Sequence, residues 1–117
     1  MIFRNKSASQ KGIELSGSCC VVCGWGNRNY KGQLLVEGAH VRGMRKTTDY
    51  DTFDNIISLC PNHHVEFDVG NITIDPIQKV CFHVDKKDQY HNKELIGRVD
   101  HIQPGNFSYH LEHVFKG

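Results

Sequence analysis

"SLCPNHHVEFDVG", residues 58–70, sets Cys60 three residues before His63, then adds a second histidine, His64, and a carboxylate, Asp68, four residues further on. Cys60 and His63 have the spacing of one half of a zinc site. Pro61 suits the first turn of a helix, where its missing N–H costs nothing, and Gly70 suits the residue just past its end. The stretch therefore predicts a helix over 61–69. If Cys60 and His63 face one ion, the 3.6-residue repeat turns His64 about 100° around the helix, out of easy reach of that ion. His64 and Asp68, four residues apart, share a face instead. An imidazole and a carboxylate so placed make a half-site for a catalytic divalent ion, with positions open for water and phosphate. One short helix is thus expected to serve two metal sites with different jobs.

Upstream lies the partner of the first half-site. In "CCVVCGW", residues 19–25, Cys20 and Cys23 are spaced as a knuckle closed by Gly24 and Gly26. Cys19 is a rival ligand, but only Cys20 gives the two-residue spacing. Cys20, Cys23, Cys60 and His63 complete a four-ligand set for structural Zn²⁺. Between Cys23 and Cys60 lie 37 positions of sequence separation, longer than in a simple finger, so a further motif must be carried there. A redox role for Cys20 and Cys23 is disfavoured, since such a pair is expected at the start of a thioredoxin-like βαβ unit. Cys81 falls in a predicted strand and reads as core.

"KGQLLVEGAHV", residues 31–41, reads as a strand ending at His40. Residues 42–54 lack periodicity and form a loop, and "NIISL", 55–59, is a short β-branched strand. Beyond the helix, "NITID" (71–75) and "KVCFHVD" (79–85) read as two strands with a turn at Pro76. "KDQYHNKELIG" (87–97) is expected to be helical, Pro104-Gly105 is a break, and a short helix follows at about 108–115. Residues 1–18 are polar, with a short helix around 11–15. The fold class expected is α+β.

Composition narrows the function. The chain has 117 residues, 38% hydrophobic and 23% charged, enough for one domain with one modest core. No apolar run approaches a membrane span or a signal peptide, so the cytoplasm is the expected location. Five cysteines, an odd number and closely spaced, fit metal ligation in a reducing compartment better than disulfides. Eight histidines, scattered along the chain, point to site chemistry. The net charge of +1 does not advertise nucleic-acid binding. The cations are unevenly placed, however: Arg28, Lys31, Arg42, Arg45 and Lys46 fall in the first half, near the histidines and cysteines, while Asp49, Asp51 and Asp54 form an acidic cluster.

His40, Asn55 and His64 occur in the order His, Asn, His, and here the sequence resembles the HNH endonuclease family, with its ββα-metal fold. The matching stretches are "LLVEGAHV" (34–41), "DNIISLCPNHH" (54–64) and "HVEFDVGNITID" (64–75), with "NFSYHLEHVF" (106–115) similar to the closing element of restriction-type members. The resemblance implies a single domain over 1–117: a lead-in segment (1–16), a zinc-knuckle and ββα core (17–75), and a hairpin with C-terminal helices (76–117). It implies that His40 is the general base, that Asn55 holds the His40 ring or its loop, and that His64 and Asp68 bind a catalytic ion, Mg²⁺ or another divalent metal such as Mn²⁺. Arg42, Arg45 and Lys46 would grip phosphates. Many members carry an acidic ligand just before the base, where this chain has Ala39. The expected function is DNA cleavage of restriction or defence type. The alternative is a non-catalytic zinc-stabilised DNA-binding module. With so little net charge, affinity for DNA is expected to come from a homodimer or a separate targeting domain.

Overall fold

The structure is a computed structural model and describes residues 5–43 and 49–117. Its first element, helix α1 (Lys6–Ser16), is opened by Asn5, whose side chain accepts from the Ala8 N–H, and closed by Gly17 in the left-handed region. It is twice as long as the sequence suggested. Its buried face is Ala8, Gly12 and Ser16, one residue per turn and all small, so no apolar stripe announces the helix. Small residues are what the packing needs. A Cβ on Gly12 would come within 2.7 Å of the Ile56 carbonyl oxygen, so α1 lies almost in backbone contact with the strand behind it.

That strand belongs to an antiparallel ribbon of β1 (Glu37–His40) and β2 (Ile56–Leu59). Its register pairs Glu37 with Leu59 and His40 with Ile56. A single 3-10 turn (Phe53–Asn55) leads into β2. Helix α2 (Pro61–Val69) follows β2 directly, with Pro61 in its first turn and Gly70 at a φ of 86° ending it, as the residues spelled out. The Cys60 sulfur takes the place of an N-cap oxygen, accepting the His63 N–H at 3.4 Å.

A second antiparallel sheet has the order β3 (Ile72–Asp75), β4 (Val80–His83) and β5 (Lys93–Glu94). The helix expected over 87–97 is not formed. Asp85 accepts from the Lys87 N–H and Asp88 from the Tyr90 N–H, two side-chain turns that compete with helix, and Asn92 has a φ of 59°. The chain then adds β5 to the sheet. Helix α3 (Pro104–His113) starts at the proline where a break was expected, because a first-turn proline lacks only an N–H that has no partner anyway. It ends at His113, two residues short of the expected limit.

One core joins these layers. Phe67 of α2 is fully buried, against a cluster that includes Val21, Ala39, Ile57, Leu59 and Phe107. Cys20 and Cys60 form part of the same cluster, so the metal-ligand knuckles are built into the core wall. The fold is α+β, with β1, β2 and α2 as its ββα centre. Among the described residues no helix is long and apolar enough to cross a membrane.

Candidate metal centres and active-site cleft

Cys20, Cys23, Cys60 and His63 bring their ligand atoms within 4.8 Å of one another. Bonds of about 2.3 Å to sulfur and about 2.0–2.1 Å to nitrogen give tetrahedral edges of roughly 3.8 Å between sulfurs and roughly 3.6 Å between sulfur and nitrogen. The structure has Cys23 Sγ 4.0 Å from Cys60 Sγ, and His63 Nδ1 3.5 Å from Cys20 Sγ and 3.3 Å from Cys60 Sγ. The four residues therefore fit a metal ion in number, chemistry and size. Burial pushes the Cys20 thiol up to about 12 and raises Cys60, so ionising both calls for a positive charge in their midst. Burial lowers His63, which keeps the imidazole neutral and its lone pair available. The knuckle is held by the Gly24 N–H donating to the Cys20 carbonyl at 2.8 Å and the Cys20 N–H to Trp25 at 2.8 Å.

His64, next in sequence, faces elsewhere. With His40, Val41, Gly43, Asp68, His110 and Val114 it lines a cleft of about 290 Å³. Its Nε2 lies 3.2 Å from Asp68 Oδ2, one turn on along α2. Its Nδ1 lies 2.7 Å from Glu37 Oε1 on β1. The Asp68 carboxylate and then Glu37 hold the imidazolium form above its ordinary range, against the lowering effect of burial. Since the two ring nitrogens point apart, the two carboxylates do not converge on one point. His64 Nε2 and Asp68 Oδ2, 3.2 Å apart, are close enough to be adjacent ligands. A divalent ion bound between them would take the place of the imidazolium proton on Nε2, leaving Nδ1–H to Glu37.

His40 ends β1 across the cleft, its side chain 13% exposed, with Nε2 2.9 Å from Asp51 Oδ1. The Asn55 side chain makes its hydrogen bonds to the loop rather than to the His40 ring. Its Oδ1 accepts the Arg42 N–H at 2.9 Å, and its Nδ2 donates to the Arg42 and Tyr50 carbonyls, each at 2.8 Å. Asn55 thus ties down both ends of the loop that follows His40. The β ladder puts it there: His40 pairs with Ile56, so the preceding residue lies beside Val41 and Arg42. The Arg42 guanidinium sits over the Tyr50 and Tyr109 rings, 4.4 and 4.2 Å from their centroids. Stacking occupies its faces and leaves its edge N–H groups without a hydrogen-bond partner among the described residues. Arg45 and Lys46 lie outside the described residues.

Three contributors escaped the sequence reading. Glu37 was passed over because an acid was sought at Ala39; the pairing of Glu37 with Leu59, just before α2, is what brings it to His64. Asp51 looked like one of several loop acids. His110, one of the scattered histidines, is buried, stacked on Phe67 at 3.7 Å, and bridged to Thr73 Oγ1 and the Phe67 carbonyl at 2.8 Å each.

A profile of the family described as HNH endonuclease matches residues 20–75. No curated protein matches the chain. Among solved structures, the chain is similar to a modification-dependent TagI restriction endonuclease, with 27% identity and a TM-score of 0.70. The match covers 95% of this chain and 38% of that one, so this chain spans well under half the length of its neighbour. The segment matched by the family profile holds both knuckles, β1, β2 and α2, and so the whole cysteine–histidine cluster and the His40, His64 and Asp68 side of the cleft, while His110 and Val114 lie beyond it. The family match over residues 20–75 and the structural likeness both support an HNH endonuclease family for this chain.

Proposed function

We propose that this chain is a metal-dependent DNA endonuclease module of restriction type, with His40 as its general base. The observation that carries the reading is the cleft in which His40 on β1 faces His64 and Asp68 on α2. In this reading Cys20, Cys23, Cys60 and His63 hold a structural Zn²⁺ that fixes the start of α2 against the knuckle. His64 and Asp68 hold the catalytic ion, Mg²⁺ or Mn²⁺, and Glu37 orients His64. When bound, that ion supplies charge stabilisation for the phosphoryl oxygens and the leaving group. His40 takes the proton of the water that attacks phosphorus, which suits an imidazole near neutral pH. Asn55 keeps the loop after His40 in place, and Arg42, Arg45 and Lys46 contact backbone phosphates.

Selection of a target is assigned to a segment or partner outside this module. A net charge of +1 gives little sequence-independent affinity, and the restriction endonuclease it resembles is a much longer protein described as modification-dependent. A homodimer would serve the same purpose and allow both strands to be cut.

The test is cleavage of plasmid DNA in Mg²⁺ or Mn²⁺ by wild type and His40→Ala. The variant should lose roughly 10²–10⁴-fold in rate while retaining DNA binding, as expected for removal of a general base. Equal rates would overturn the assignment. Binding without cleavage by the wild type would favour a non-catalytic zinc-stabilised DNA-binding module.

A further inference from the structure

The inference concerns Asp51, and it rests on the reading of His40 as the base. Asp51 is buried, yet it lies in the loop ahead of the 3-10 turn, where carboxylates are usually solvated. One oxygen, Oδ1, meets His40 Nε2 at 2.9 Å. The other, Oδ2, accepts the backbone N–H of Asn5, the residue that caps α1. The carboxylate is thus anchored from the N-terminal helix and aimed at the ring.

A carboxylate accepts and does not donate, so the proton of this pair sits on His40 Nε2. The lone pair is then on Nδ1, which has no hydrogen-bond partner among the described residues. Other titratable groups facing the cleft are His64 and Asp68 from α2 and His110 from α3. None of them is hydrogen-bonded to His40.

We propose that Asp51 is the positioning residue of His40. It holds the imidazole as the Nε2–H tautomer, so that Nδ1 receives the proton of the attacking water. As the new O–P bond forms and the bond to the leaving oxygen breaks, the ring becomes an imidazolium whose Nε2–H still points at Asp51. The N-terminal helix thereby becomes part of the catalytic apparatus.

Asp51→Asn separates this role from a merely structural one. The amide oxygen can keep the Asn5 N–H, while the amide nitrogen meets His40 Nε2 as a donor and drives the ring proton to Nδ1. Long-range ¹H–¹⁵N NMR should show His40 as the Nε2–H tautomer in the wild type and the Nδ1–H tautomer in Asp51→Asn. Turnover should fall roughly 10²–10⁴-fold, with KM and zinc content unchanged. An Nδ1–H tautomer in the wild type overturns the proposal, and that measurement needs neither a variant nor cleavage. Wild-type turnover by Asp51→Asn overturns it as well. If the tautomers behave as stated while His40→Ala cleaves normally, the positioning stands and the reading of His40 as base fails.

Discussion

His63 and His64 share a peptide bond but almost none of their environment. His63 is 8% exposed and turns its Nδ1 to two cysteine sulfurs, while His64 meets carboxylates on both nitrogens at the edge of a cleft. Helical rotation alone separates them, which is why their different directions could be read from sequence spacing. Contacts made by strand register and loop closure could not: Glu37 and Asp51 reach their histidines across 27 and 11 positions. Asn55 shows the same limit, since its importance was legible but its partners were not. It satisfies three polar groups of the loop and is itself buried. Asn55→Ala should therefore cost roughly 2–4 kcal/mol in urea unfolding and slow cleavage by loosening the loop after His40. A loss below about 0.5 kcal/mol would mean the loop is held by other contacts.

At the scale of elements, α2 was readable residue by residue because its cap, proline, ligands and terminal glycine all lie within it. Helix α1 was not, because its buried face carries no large apolar side chain. Its packing makes an opposite prediction to helix propensity. Gly12→Ala should favour the helix by about 1 kcal/mol, but its Cβ would meet Ile56, including the backbone oxygen, at 2.7 Å. Overpacking of this kind costs roughly 1–3 kcal/mol, so the variant should melt at or below the wild-type temperature; a clear rise in Tm would contradict the contact. The same contrast explains 87–97, where aspartate turns override a helix-like composition. Helix α3 is docked by His110, whose imidazole burial holds below its ordinary value against the pull of the Phe67 carbonyl and Asp68. The fold prefers the neutral ring, so its contribution is complete above about pH 6.5 and is lost as pH falls below that and the unfolded chain takes up the proton. Between pH 7.5 and 5.5 the wild type should lose more urea resistance than His110→Gln. Metal ligation weakens with acid in both proteins, so equal losses would remove His110 as the cause.

For the molecule as a whole, the cysteine cluster and the cleft are two faces of one arrangement. The cluster sits in the core wall and grips the start of α2; the same helix then carries His64 and Asp68 to a cleft whose far side is His40 on β1. The two half-sites on α2 were legible because Cys60, His63, His64 and Asp68 lie on one short stretch of chain, whereas the ββα centre was expected from the family resemblance that His40, Asn55 and His64 carry. Its surroundings were not, because α1, β5 and α3 close over it through small residues, turns and a buried histidine pair of hydrogen bonds that have no local signature. The central claim is that adjacent histidines serve separate ions, and zinc content after exhaustive dialysis tests it most directly. The account predicts one zinc per chain in the wild type and in His64→Ala, and its loss in His63→Ala. Zinc lost from His64→Ala, or retained in His63→Ala, would contradict it.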